Sequence, residues 1–298
     1  NVAVGYHSLH ATDEGAKNTA VGYDSLSSNV GDENTAIGHL AGYDTTGAEN
    51  TFIGSAAGTN IGSTSGNVAV GRYALYNSTG AAQCVAIGLQ AMYNGNATQT
   101  GTVAIGKDAL TNLTSGADNT AVGYFAADSV TTGSNNTVLG YEALIDNVVG
   151  SSNTAIGRRA LYEFVADADN HGWNTAVGSN AGYNVTTGTV NTLIGNQAAN
   201  TGTNDLTTGD ANTLLGSETA VSTASASNQT VIGYTATGVA DNSVTLGNAD
   251  VTAVYMSSDS QAKIHCGPII GAKDEITATN SGVAASLLTL NTEVTTNG

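Results

Sequence analysis

The segment EFVADADNHGW, residues 163–173, holds the side-chain arrangement that comes nearest to a metal-binding motif. Asp167, Asp169 and Gly172 follow the D-x-D-x-x-G order that begins an EF-hand calcium loop, in which carboxylates supply oxygen ligands and the glycine allows a sharp turn. His171 stands where such a loop needs its fifth-position oxygen ligand, and no glutamate occupies the twelfth position. Asp167 and Asp169 are therefore an incomplete calcium candidate, and a solvated acidic turn is the alternative.

Catalysis requires reactive groups that converge, and the reactive residues of this sequence share no spacing. The five histidines fall in unrelated positions of the repeat described below, and no pair of carboxylates recurs in a way that implies a pocket. Cys84 and Cys266 are solitary and lack the CxxC or Cys/His spacing of a zinc site. We therefore predict no catalytic residue, no cofactor and no established metal site, and we expect a protein that is not an enzyme.

Tyrosines recur at two fixed positions relative to a repeated glycine. Those directly after the glycine are Tyr6, Tyr23, Tyr124, Tyr141 and Tyr234, and those five residues after it are Tyr43, Tyr76, Tyr93, Tyr162 and Tyr183. Two rows of aromatic rings could hold a sugar by stacking. The alternative is that the rings pack against the neighbouring coil or chain and leave their hydroxyl groups in water.

The repeat that positions these tyrosines extends over most of the chain. A short aliphatic stretch followed by glycine, as in NTAVG at 18–22, returns fifteen times, mostly at intervals of 16 to 18 residues. The glycines are Gly5, Gly22, Gly38, Gly54, Gly71, Gly88, Gly106, Gly123, Gly140, Gly157, Gly178, Gly195, Gly216, Gly233 and Gly247. A fixed period over this length predicts a solenoid, and the β-branched residues before each glycine predict a short strand.

Each position of the repeat suggests a structural role. The residue before the glycine is always Val, Ile or Leu, and we predict that it points into a narrow core: Val21, Ile37, Ile53, Val70, Ile87, Ile105, Val122, Leu139, Ile156, Val177, Ile194, Leu215 and Ile232. Four residues before most glycines stands an asparagine, where stacked coils would align the amides into a hydrogen-bonded ladder: Asn18, Asn34, Asn50, Asn67, Asn119, Asn136, Asn153, Asn174, Asn191 and Asn212. The alanine three residues after the glycine predicts a second short strand, and the polar segment that follows predicts an outer loop.

Composition excludes several classes of function. The net charge of −17 comes from 24 acidic and 7 basic residues, which argues against nucleic acid and against an anionic membrane surface as partners. No apolar stretch approaches the ~20 residues needed to cross a bilayer. The apolar residues are mostly small or aliphatic, with few aromatics, which suits a thin structure more than a thick core.

The repeat unit resembles that of a known family of fibrous proteins. The pattern N-[TSV]-x-[VIL]-G-x-x-[AS]-[LG] over residues 1–247 is similar to the head repeats of trimeric autotransporter adhesins and to the NTAVG-type repeats of bacteriophage tail fibres. The resemblance implies parallel β-rolls that associate, intertwined or side by side, as homotrimers. The period of 16 to 18 residues is longer than that of the adhesin repeat, so it favours the resemblance to the tail-fibre repeats.

The end of the chain departs from the repeat. Residues 243–267 resemble the segment that follows the repeat in such phage proteins. We expect a capping segment over residues 248–270 to cover the open end of the solenoid, whose unpaired backbone would otherwise invite aggregation. In residues 271–298, Val283, Leu287, Leu290 and Val294 follow a heptad spacing. This spacing predicts a short helix in a trimeric coiled coil.

The sequence therefore predicts an all-β parallel β-solenoid, or β-roll, of about fifteen coils that forms a homotrimer with a short C-terminal coiled coil. The expected function is a structural shaft of a phage tail fibre or similar virion appendage, which projects elements that recognise the host. Its expected partners are its own copies, other virion proteins and a glycan or protein of the host surface. The alternative is the head of a trimeric adhesin on a bacterial cell surface.

Overall fold

The structure, a computed structural model, describes residues 1–252 and 254, except for 12, 29, 95–99 and 169–170. In this part of the chain, fifteen strands of three residues form one parallel sheet in sequence order. They are Val2–Val4 (β1), Thr19–Val21 (β2), Thr35–Ile37 (β3), Thr51–Ile53 (β4), Val68–Val70 (β5), Val85–Ile87 (β6), Val103–Ile105 (β7), Thr120–Val122 (β8), Thr137–Leu139 (β9), Thr154–Ile156 (β10), Thr175–Val177 (β11), Thr192–Ile194 (β12), Thr213–Leu215 (β13), Thr230–Ile232 (β14) and Val244–Leu246 (β15). The fold is an all-β parallel β-solenoid of about fifteen coils, and the described residues contain no helix.

Equivalent residues of successive repeats lie directly on one another. Thr19 pairs with Thr35 and Ala20 with Ala36, and this register continues through all fifteen strands. Hydrogen bonds also join the coils outside the sheet, such as the one from the backbone N–H of Leu26 to the carbonyl of Ala41 at 3.0 Å. Each coil is therefore held to its neighbours along the sheet and around the turns.

The glycine that ends each strand is required by close backbone contact between coils. Gly88 has a φ of +139°, and a Cβ atom there would lie 2.4 Å from the carbonyl oxygen of Gly106 in the next coil. Any side chain would push the two coils apart and would also be strained in this backbone conformation. This explains why the position before the turn accepts only glycine in every repeat.

The segment after the glycine is a left-handed turn, and the predicted second strand is wrong. In the coil that begins at Gly140, Glu142 and Leu144 both have a φ of 52°, in the region that residues other than glycine rarely adopt. These two kinks turn the chain so that Ala143 and Leu144 face the interior, where both are fully buried. The alanine is thus buried as its size suggested, but in a turn rather than in a strand.

The core lies one residue earlier than the sequence predicted. The central residue of each strand from β2 to β14 is buried: Ala20, Ala36, Phe52, Ala69, Ala86, Ala104, Ala121, Val138, Ala155, Ala176, Leu193, Leu214 and Val231. The predicted core residues, which come third in their strands, point outward instead and are half-buried or exposed: Val21, Ile37, Ile53, Val70, Ile87, Ile105, Val122, Leu139, Ile156, Val177, Ile194, Leu215 and Ile232. We call these residues, together with Val4 and Leu246, the aliphatic stripe.

The narrow interior of the coil explains this reversal. The interior is filled by alanines and by larger residues that many of the turns supply, such as Leu75 and Leu110, so most coils accept only a small side chain from the strand. Phe52 is accommodated because Gly42 and Gly58 lack side chains, and a Cβ at Gly58 would lie 2.3 Å from the Phe52 ring. Where the interior is already filled, the larger aliphatic residue of the strand faces outward, since strand residues alternate between the two faces.

The predicted capping segment is described only at its beginning, where the Asn248 amide donates to the Thr235 hydroxyl of the preceding coil at 3.0 Å. The predicted coiled-coil residues Val283, Leu287, Leu290 and Val294 lie outside the described residues.

The corrected register predicts that two adjacent substitutions in β6 differ strongly in their effect on stability. Ala86→Asp places an unpaired charge in the dry interior, so we expect a loss of about 3 kcal/mol or more in the free energy of unfolding. Ile87→Asp faces outward and should leave the secondary structure of the coil intact. Circular dichroism and urea unfolding measure both effects, and a greater loss of secondary structure in Ile87→Asp would contradict the register.

Candidate functional site

The predicted asparagines form a buried ladder along the solenoid. All ten are at most 1% exposed. The side-chain oxygen of Asn34 accepts hydrogen bonds from both the backbone N–H and the amide group of Asn50, at 2.9 and 3.0 Å. The Asn50 amide also donates to the carbonyl of Thr64 in the next coil at 3.1 Å. These side chains satisfy buried backbone groups and each other, which gives them a structural role.

The ladder is interrupted at two successive coils. Cys84 and Thr102 occupy the asparagine position between Asn67 and Asn119. The backbone N–H of Cys84 still donates to the Asn67 side chain at 3.0 Å, and burial raises the pKa of the Cys84 thiol. The hydroxyl oxygen of Thr102 is buried without a hydrogen-bond partner. The buried hydrogen bonding of the ladder is thus incomplete at this point.

Most tyrosines of the two rows stack in pairs along the rod, as the packing alternative expects. The rings of Tyr162 and Tyr183 lie 4.8 Å apart with an interplanar angle of 2°, and those of Tyr124 and Tyr141 lie 5.4 Å apart at 5°. In such stacks each ring covers part of its neighbour's face. Paired rings therefore leave little free aromatic surface for a sugar.

Cations occupy the ring faces that the stacks leave open, which the sequence analysis missed. The Lys107 ammonium lies 4.9 Å from the centre of the Tyr124 ring, and the Arg159 guanidinium lies 5.3 Å from that of Tyr162. Such cation–π contacts are worth about 0.5–1 kcal/mol at exposed sites. The sequence contains a sign of these contacts, because four basic residues follow a repeat glycine by one or two positions: Arg72, Lys107, Arg158 and Arg159.

The pKa values of two carboxylates beside the tyrosine rows are shifted in opposite directions. Burial opposes the ionisation of Glu142, but hydrogen bonds from Tyr141 and Arg159 prevail and lower its pKa, with an Arg159 Nε to Glu142 Oε2 distance of 2.7 Å. Burial raises the pKa of Asp128, and the nearby Asp108 carboxylate raises it further. Ionisation of Glu142 therefore stabilises the fold, whereas ionisation of Asp128 opposes it.

The inserted segment 163–173 is anchored to the rod. Phe164 is fully buried, and Gly172 forms a bridge with Ser151 of the preceding coil. The imidazole Nδ1 of His171 lies 2.7 Å from a carboxylate oxygen of Asp167, and Trp173 is 52% exposed. Part of what the sequence presents as a protruding loop is therefore core structure, with a polar and aromatic surface above it.

The calcium candidate is not supported by a ligand set. Asp169 lies outside the described residues, and the described carboxylate of Asp167 is paired with His171. Among the residues that the structure describes, no group of three or more His, Cys, Asp or Glu side chains is placed to hold a metal ion. The same residues include no helix that is long and apolar enough to cross a membrane.

Two shallow grooves cross the surface of the coils. One, of about 590 Å³, is lined by polar groups that include Asp44, Asn60 and Asn77. The other, of about 710 Å³, is lined by acidic residues that include Asp32 and Glu49. Neither groove has an aromatic residue in its lining, so the tyrosine rows form no part of either groove.

The amide ladder predicts a strong dependence of stability on a single buried asparagine. Asn136→Ala removes the oxygen that accepts from the backbone and amide nitrogens of Asn153, both at 3.0 Å. We expect a loss of about 3 kcal/mol in the free energy of unfolding, because the backbone N–H of Asn153 remains buried without a partner and its amide keeps only the 3.3 Å bond to the Ser151 carbonyl. Urea unfolding measures the loss, and the exposed Asn196→Ala is the control, which should change stability by less than about 0.5 kcal/mol. Similar losses in the two variants would contradict the role of the ladder.

A scan against protein-family models found no family that matches this chain, and a search of curated proteins found no significant match. The function proposed below is therefore argued from the sequence pattern and the geometry of the coils.

Proposed function

We propose that the chain is a structural fibre protein, the homotrimeric shaft of a phage tail fibre or similar virion appendage that projects host-recognition elements. Its role is structural rather than catalytic, and its partners are its own copies and other virion proteins. The observation that carries this proposal is the aliphatic stripe on the outer face of the sheet.

The stripe is an unusually long apolar surface for a single chain. It runs through all fifteen strands, and its members include Leu139 and Leu215, which are 48% and 45% exposed. Soluble monomers rarely expose continuous apolar patches larger than a few hundred Å². The threonine or valine at the first position of each strand faces outward beside the stripe and widens this surface.

The dimensions of the sheet face suit association with copies of the chain. At a strand spacing of about 4.8 Å, fifteen strands extend about 67 Å, and two outward columns of side chains are about 10 Å wide. The resulting surface of about 700 Å² approaches the ~800 Å² that each partner contributes to a standard interface. Because all copies carry the same repeat in the same register, their stripes can meet along the entire sheet.

Three copies around one axis are the arrangement that the resemblance implies. Narrow sheets that face a common axis would enclose every stripe and leave the charged turns and outer loops in water. The net charge of −17 supports this orientation, since it makes random contacts between outer surfaces unfavourable.

A shaft function also follows from the way the coils are connected. In-register pairing along β1–β15 and hydrogen bonds around the turns link each coil to the next. Such a repeat extends by simple addition of coils, and its stability is the sum of similar neighbour contacts. These properties suit a stiff spacer.

The oligomer is tested by charging the stripe. In the double variant Ile105→Asp/Leu139→Asp, carboxylates replace outward aliphatic side chains. We therefore expect the trimer to dissociate into monomers that retain the circular dichroism of the coils. Native mass spectrometry and light scattering measure the change. The matched control, Ser115→Asp/Thr132→Asp, adds the same charge to the exposed outer loops and should remain trimeric. A monodisperse monomer of the unmodified protein would refute the trimer.

The biological location is tested separately by electron microscopy. Gold-labelled antibodies against the chain should decorate an appendage of virus particles in cultures that express the gene. Label on the bacterial envelope, together with a membrane-anchoring domain in the same gene, would overturn the fibre proposal in favour of the adhesin alternative.

A further inference from the structure

Trp173 is an aromatic residue whose position the fold does not explain. It is the only tryptophan in the sequence and is 52% exposed. Its backbone nitrogen donates to the Ser151 carbonyl at 3.3 Å, as the equivalent nitrogen of Val190 donates to Gly172 at 3.0 Å. The left-handed backbone conformation at this position is shared by Ser152 and Val190, so the coil does not need an indole there.

Hydrogen-bonding groups stand beside the indole. The imidazole of His171 lies with its centre 6.4 Å from the indole centre at an angle of 41°, which leaves the two rings unstacked. The same imidazole is 2.7 Å from the Asp167 carboxylate, and both of these side chains are about half exposed. The open indole face thus adjoins a donor and acceptor pair that is accessible to water.

The site is held on a rigid base. The backbone N–H of Ser151 donates to the His171 carbonyl at 3.1 Å, and Phe164 and Ala166 are buried beneath the segment. A binding surface that is ordered in advance loses less conformational entropy on binding. This distinguishes Trp173 from an aromatic residue on a free loop.

We propose that Trp173, His171 and Asp167 form a contact site for one ring of a neutral saccharide. A pyranose has a face of C–H groups, which packs on an open aromatic ring, and a rim of hydroxyl groups, which the imidazole and carboxylate can bind. A protein partner would instead need a wider apolar surface around the indole to exclude water, whereas the imidazole and the carboxylate beside this indole are polar and about half exposed. Most tyrosines of the two rows are less suited, because a stacked ring or a cation covers part of each face. This inference extends the structural role proposed above and does not depend on it.

The single tryptophan makes the test direct, since the intrinsic indole fluorescence of the protein reports on this site alone. The assembled protein is titrated with a panel of neutral saccharides: lactose, maltotriose and N-acetylglucosamine oligomers. We expect a saturable change in emission with at least one of them and a dissociation constant on the order of 1 mM, as for a contact with a single ring. No saturable change with any member of the panel would overturn the proposal.

Variants separate binding from folding. Trp173→Ser copies the residue of the preceding coil, Ser152, so the backbone should tolerate it, and saturation-transfer NMR with the same saccharide should show that binding is lost. His171→Ala should weaken binding by about tenfold, which corresponds to one or two lost hydrogen bonds. Tyr234→Ala, which removes an exposed aromatic residue elsewhere, is the control and should bind normally. Unchanged binding in Trp173→Ser would refute the site.

The same spectrum distinguishes failure of this site from failure of the fibre proposal. If another copy of the chain covers Trp173, the emission of the assembled protein is blue-shifted before any saccharide is added, and the saccharide proposal is wrong while the trimer stands. If the protein is monomeric but its fluorescence titrates with a saccharide, the site stands and the trimer is wrong.

Discussion

Close contact between glycines of successive coils is the constraint on which the rest of the structure depends. A Cβ at Gly123 would lie 2.3 Å from the carbonyl oxygen of Gly140, so this pair of coils can approach only because Gly123 lacks a side chain. This approach aligns equivalent positions of neighbouring repeats. The amide ladder, the stacked tyrosines and the aliphatic stripe all follow from that alignment, because each is one position of the repeat copied along the rod.

The solenoid itself could be predicted from the sequence because its signal is repeated many times. The direction of individual side chains could not. In a strand of three residues, alternation alone does not say whether Ala36 or Ile37 faces inward, and the larger residue is the natural choice when interior space is unknown. The interior width depends on the left-handed turns, and residues such as Leu26 and Glu142 give no sign that they adopt a positive φ.

The sequence likewise predicts only part of the candidate site in segment 163–173. The longer interval between Gly157 and Gly178 marks segment 163–173 as different, and its acidic residues direct attention to calcium. The structure instead pairs Asp167 with His171 and leaves Trp173 exposed. Which residues of an insertion are anchored and which remain at the surface depends on packing, here the burial of Phe164, and the periodicity carries no information about it.

The interruption of the amide ladder at Cys84 and Thr102 has a mechanical consequence. Elsewhere in the ladder, one asparagine joins successive coils through several buried hydrogen bonds, whereas Thr102 contributes none from its hydroxyl. The ladder therefore contributes less resistance to separation of the coils along the axis at this interruption. The ten buried asparagines are divided into a group of four, from Asn18 to Asn67, and a group of six, from Asn119 to Asn212, and each group joins its own coils.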